Sequence, residues 1–208
     1  MSELSHDAGA PSPAAPSRGT RLALGLALVA AVALIAAFAI QLRRPTTGPR
    51  PGAAAPPFAF ETLDGDGISL EALQGEVVVL NFWASWCVSC VYEAPDLEQV
   101  WQDYRDRGVV VLGVAYNDTR PAARTYIAEH GITYPNGMDP GGAVSQAYRL
   151  SGVPETAVID QNGNVVPLQR RDERRPVGKI VGPITSTSAF TPDDLRITLE
   201  GLLADGAT

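Results

Sequence analysis

Cysteine, histidine and lysine are all scarce in this 208-residue chain: Cys87 and Cys90, His6 and His130, and Lys179 alone. Two cysteines cannot build a disulfide framework, and alone they cannot supply a four-ligand zinc site. With two histidines, metal chemistry is short of ligands. Long apolar runs are scarce as well. Only one could cross a bilayer, which excludes a multi-pass membrane protein. A basic face is also missing. Residues 1–44 carry four arginines against two acids, or +2, so the other 164 residues hold 12 basic and 21 acidic side chains, or -9. Such an acidic domain argues against a nucleic-acid partner. What remains, 45% hydrophobic and 19% charged, is ordinary globular composition.

Residues 1–21 are rich in Ala, Pro, Ser and Gly and read as a disordered tail. Leu22 to Ile40 follows with 19 residues free of charge. As a helix this run is about 29 Å long, close to the ~30 Å hydrocarbon core, so a transmembrane helix is expected at 22–40. The alternative is a cleaved signal peptide. Ala37-Phe38-Ala39 suits cleavage but sits at the very end of a run longer than a usual signal core. Arginines flank the span on both sides (Arg18, Arg21; Arg43, Arg44, Arg50), so charge alone does not orient it. Residues 41–57, with five prolines, read as a semi-extended linker. One folded domain is expected over 58–204, long enough for a core of its own.

Within that domain, Val77 to Phe82 and Val109 to Val114 are short β-branched runs, typical of strands buried on both faces. Between them, Leu97, Val100, Trp101 and Tyr104 recur at helical spacing, giving a βαβ unit with parallel strands. Helices are expected at 121–129 and 143–148, and a strand at 156–160. Asn162-Gly163 signals a turn into a return strand at Val165-Val166, and Ile180-Val181 resumes the sheet. Thr191-Pro192-Asp193-Asp194 has the composition of a helix start, followed by an apolar face of Leu195, Leu199, Leu202 and Leu203. His130 caps or follows a helix.

The chemistry centres on Trp86-Cys87-Val88-Ser89-Cys90, which follows a buried strand and opens a helix. That context separates a redox pair from a metal knuckle. At a helix N-terminus, Cys87 meets free backbone N–H groups and the positive end of the dipole, so its thiol pKa should fall. Cys90 lies one turn deeper. It is placed to attack a mixed disulfide on Cys87 and release the partner.

This stretch resembles the thioredoxin superfamily. More narrowly it resembles the membrane-anchored TlpA, ResA and CcmG (DsbE) thiol-disulfide oxidoreductases of cytochrome c maturation. The resemblance runs from about Phe58 to Gly163. It implies an α/β fold, a central mixed β-sheet flanked by helices, and one N-terminal transmembrane helix. Besides the cysteine pair, Glu93, Gly152-Val153-Pro154-Glu155-Thr156 and Val114-Ala115-Tyr116-Asn117-Asp118 carry it. By this resemblance Glu93 tunes the cysteines. Pro154 follows a cis bond and faces them, and the Val153 backbone pairs with a substrate strand. Trp86 and Glu155 join Val153 in meeting substrate, Glu155 as a second acid, and Tyr116 is a wall. Two departures stand out. Ala157 replaces a usual aromatic, and Pro167 to Gly178, with Arg170, Arg171, Arg174 and Arg175, looks like an insertion. The insertion reads as a solvated loop, with contact to an acidic partner or lipid head groups as the alternative.

The expectation is therefore an extracytoplasmic disulfide reductase, since a tethered dithiol makes most sense where disulfides form. The implied partners are a disulfide-bearing protein such as apocytochrome c and a membrane thiol electron donor. The chain is expected to be a monomer without metal or cofactor beyond the Cys87–Cys90 disulfide. Val88-Ser89 adds no positive charge to favour a thiolate, which sets the pair apart from strong oxidants. The competing functions are a general disulfide oxidase or isomerase, a peroxiredoxin-like antioxidant, and a copper chaperone or inert binding module.

Overall fold

A computed structural model describes residues 19, 26–36, 49–170, 176–182 and 184–206. The chain divides into two units, residues 1–45 and 46–208. In the first, residues 26–36 form helix α1. Among the described residues no helix is long and apolar enough to cross a membrane. The rest of the expected 22–40 span, most of the 1–21 tail and 41–48 of the linker lie outside the described residues.

The second unit is built on a five-stranded sheet. Its strands are β3 (Val77–Trp83), β4 (Val109–Ala115), β5 (Asn136–Met138), β6 (Glu155–Ile159) and β7 (Ile180–Val181), in the order β5-β4-β3-β6-β7. β3, β4 and β5 run parallel, and β6 and β7 antiparallel to their neighbours. All seven β3 residues are buried, because the strand is covered on both faces. Val77, Val79 and Trp83 enter one core with Leu97 and Val100 of α2 (Val88–Tyr104) and Leu195 and Leu199 of α5 (Pro192–Asp205). Val78, Leu80 and Phe82 enter the other core, with Phe58, Phe60 and Tyr148. Alternation along a strand thus distributes one apolar run between two layers.

The helices begin where capping chemistry permits. Thr119 caps α3 (Arg120–Glu129), and Thr191 with Asp194 forms a reciprocal capping box on α5. A short α4 (Ala143–Ala147) leads towards the loop before β6. A small antiparallel hairpin, β1 (Ala59–Glu61) with β2 (Gly67–Ser69), packs beside β5.

The return segment expected at Val165-Val166 pairs antiparallel with the end of β6: Val165 bridges Ile159, Asp160 N donates to Asn164 O at 2.9 Å and Val166 N donates to Val158 O at 2.8 Å. On its other side Val165 bonds to the incoming chain, receiving Gly52 N at 2.7 Å and donating to Ala53 O at 2.8 Å. The folded unit therefore starts ahead of Phe58, and the end of the proline-rich linker belongs to it. The expected insertion is closed at its base by reciprocal bonds between Leu168 and Val177. Residues 171–175, which hold Arg171, Arg174 and Arg175, lie outside the described residues.

Candidate active site

β3 ends at Trp83 and the chain turns through Ala84-Ser85-Trp86 into α2, with Cys87 as its N-cap. The cap residue is therefore the first cysteine. Cys87 Sγ accepts from Cys90 N at 3.1 Å and lies 3.5 Å from Ser89 Oγ. Cys87 and Cys90 form a disulfide with their Cα atoms 5.3 Å apart. Cys87 is 6% exposed and Cys90 1%, so Cys87 is the sulfur a partner reaches first. Its sequence neighbours Trp86 and Val88 are exposed apolar side chains, as is Tyr92 further along α2.

The turn that carries Cys87 is held by the loop after β4. Asp118 accepts from Ser85 N at 2.6 Å and from Ser85 Oγ at 3.0 Å. Trp86 donates its indole N–H to Asn117 O at 3.1 Å, and Asn117 stands at φ 47°. Tyr116 lines a cleft of about 550 Å³ with Asn117, Asp118 and Met138. Sequence reasoning gave Asp118 no such anchoring role, because one acid beside a strand end carries no periodic signal.

Glu93 sits one turn after Cys90 on α2 and is 1% exposed. Its Oε1 accepts from Asn81 Nδ2 at 2.8 Å and its Oε2 from Ile184 N at 3.0 Å. The second Asn81 amide hydrogen goes to Thr156 Oγ1 at 3.1 Å, so one side chain ties β3 to both α2 and β6. Burial raises the Glu93 pKa to about 7, outweighing the two N–H donors that favour its charged form. Asn81 was missed in the sequence. The available signal was a single amide inside an unbroken apolar strand.

The Val153–Pro154 peptide is cis, as the family resemblance implies. Pro154 O accepts from Gly182 N at 2.9 Å, which ties the loop to the chain leaving β7. Glu155 is placed differently from Glu93. It pairs in register with Phe82, while its neighbour Thr156 reaches the Asn81–Glu93 cluster, so the two acids lie on opposite faces of the sheet. Glu155 is fully buried and holds an ion pair with Lys179 and hydrogen bonds from Ser151 N and Oγ. His130 is the C-cap of α3, its ring 4.4 Å from Tyr126.

The structure thus gathers Cys87, Cys90, Trp86 and Glu93 on one strand-turn-helix unit. It places Val153 and Pro154 in the loop before β6, and turns Glu155 to the other side.

The model of the AhpC/TSA family matches residues 51–167. The thiol-disulfide oxidoreductase ResA of Halalkalibacterium halodurans is 32% identical over 119 residues, which cover 57% of this chain and 68% of that protein. The ResA of Bacillus subtilis is 32% identical over 117 residues, covering 56% and 65% respectively. A Chlorobium tepidum protein, crystallised as a candidate thiol:disulfide interchange protein DsbE, superposes with a TM-score of 0.63 at 26% identity. That match covers 74% of this chain and 99% of the other. The sequence match and the helix-capping cysteine pair agree: the chain belongs to the thioredoxin-like AhpC/TSA family and is a thiol:disulfide oxidoreductase of the ResA and DsbE type.

Proposed function

We propose that the chain is a membrane-anchored, extracytoplasmic disulfide reductase whose partner is a protein disulfide such as that of apocytochrome c. The observation that carries this reading is the buried Glu93 carboxyl one helical turn from Cys90, with its pKa near 7. A carboxylate close to a thiolate disfavours the thiolate and so opposes the stabilised reduced form that makes a strong oxidant. Val88-Ser89 brings no opposing cation. The uncharged run at 22–40 supports the tether, and a dithiol reductase has its use where disulfides form, outside the cytoplasm.

In the reductive cycle the Cys87 thiolate attacks one sulfur of the partner disulfide, and the other leaves as a thiolate that takes up a proton. Cys90 loses its proton and attacks Cys87 Sγ. The Cys87–Cys90 disulfide closes, and the partner departs as a dithiol with two electrons gained. A membrane thiol donor then returns two electrons to the pair. Glu93, as a base poised near neutrality, suits the step in which Cys90 gives up its proton. The Val153 backbone and Trp86 are the surfaces along which a partner segment lies.

Trapping tests this reading. Cys90→Ala removes the resolving thiol, so the partner stays bound to Cys87 as a mixed disulfide. Recovery of a protein carrying Cys-x-x-Cys-His supports the proposal. Recovery of only an oxidant of other thiols contradicts it. Labelling of reduced Cys87 in intact cells by an impermeant thiol reagent tests the orientation; labelling only after lysis contradicts it.

A further inference from the structure

The arginine-bearing stretch before β7 is the one sequence feature that the thiol chemistry leaves unused. Its end, Pro176 to Lys179, forms part of the wall of a cavity of about 370 Å³. The chain entering the domain, Pro49 to Pro51, and Val181 of β7 complete the apolar lining. The walls meet where Gly178 lies against Pro49. A Cβ at Gly178 would stand 1.9 Å from Pro49 O, so this junction requires glycine. The cavity flanks the cis-proline loop, since Val181 pairs with Glu155 and the next residue, Gly182, donates to Pro154 O.

Three cations line this recess: Arg50, Arg149 and Lys179. The Lys179 ammonium is engaged by Glu155 and donates to Arg149 O at 2.8 Å. That buried anchor fixes the backbone of Arg149, which stands at φ 51°, a left-handed conformation uncommon outside glycine. The guanidiniums of Arg50 and Arg149 make no ion pair with a described residue. In a chain of net charge -7, two guanidiniums without an ion pair among the described residues share one apolar-walled concavity. A planar guanidinium fork matches a carboxylate, and partial desolvation strengthens the pairing.

We propose that this cavity receives an acidic side chain of the partner polypeptide whose disulfide Cys87 attacks, giving the enzyme a preference for acidic sequence beside the target cysteines. The proposal rests on the oxidoreductase reading of the cysteine pair. A polypeptide lying along the cis-proline loop passes the cavity mouth. A walled recess of this size fits one side chain better than a plane of anionic head groups.

The test uses the reduced full-length chain in single-turnover exchange with three substrates. These are a disulfide-looped peptide flanked by Asp and Glu, its Asn and Gln counterpart, and uncharged hydroxyethyl disulfide. The native chain should half-saturate at lower concentration with the acidic peptide. Arg50→Ala with Arg149→Asn should raise that concentration about fivefold while leaving its limiting rate and the other two substrates unchanged. Asparagine tolerates the left-handed backbone at 149, and Arg149→Asp, which tolerates it equally, should weaken the acidic peptide further. Equal loss on all three substrates, or no acidic preference in the native chain, overturns the proposal. So does a loss of binding to phosphatidylglycerol vesicles with no change for the peptide, which would assign the arginines to the membrane. A native chain inert towards hydroxyethyl disulfide would refute the oxidoreductase reading first, and the cavity proposal with it.

Discussion

The buried Glu93 carboxyl makes the stability of the oxidised protein depend on pH in a defined direction. In the unfolded chain its pKa is the ordinary 4.5; in the fold, burial raises it to about 7. Between those values the folded state holds a proton that the unfolded state has lost. Stability from this group is therefore complete below pH 4.5 and declines as pH climbs through about 7. A gap of this size corresponds to roughly 3 kcal/mol. The oxidised form is the right sample, because a disulfide removes both cysteines from the titration. Asp96 and the tyrosines Tyr126 and Tyr134 also interact with Glu93, and the tyrosine pKa values lie above this window. Urea unfolding followed by tryptophan fluorescence from pH 5 to pH 8 gives the slope. Glu93→Gln should flatten it. The amide of that variant still leaves one N–H donor, of Asn81 or Ile184, poorly paired, which costs a constant amount at every pH. A native stability that rises over this range, or a variant with the native slope, would refute the reasoning.

Three further outcomes follow from the same contacts. Glu93→Gln removes a charge that opposes the thiolate, so the reduction potential should rise, about 30 mV for each 1.4 kcal/mol, measured by equilibration with glutathione. Lys179→Met leaves Glu155 buried without its cation and should cost about 3–5 kcal/mol in urea unfolding, with part regained by adding Glu155→Gln. Gly113→Ala places a Cβ 1.8 Å from Asn136 Oδ1 and 2.8 Å from Trp83 Nε1, disturbing their 2.7 Å hydrogen bond. It should cost about 2 kcal/mol and alter the near-UV dichroism of Trp83.

The strands β3 and β4 were legible because buried parallel strands leave continuous β-branched runs, and α5 because its start carries capping chemistry. The cysteine pair was legible because its spacing and its place between strand and helix state a mechanism. β1, β2 and β5 were not, since three-residue strands have no period to read. The turn signal placed Val165 on a return segment, where it bridges Ile159, but its second pairing, with Gly52 and Ala53 more than a hundred residues away, leaves no local signal. The side taken by Glu155 was hidden for a related reason. Its neighbours in sequence say nothing of Lys179, the only lysine of the chain, which reaches it from the base of the insertion.

The central claim is that the Cys87–Cys90 pair gives electrons to its partner. Its reduction potential, measured against glutathione on the full chain, tests this most directly. The account predicts a reducing value, in the region of about -200 to -270 mV occupied by glutaredoxins and thioredoxin. A value near about -120 mV, that of a strong oxidant, would contradict it.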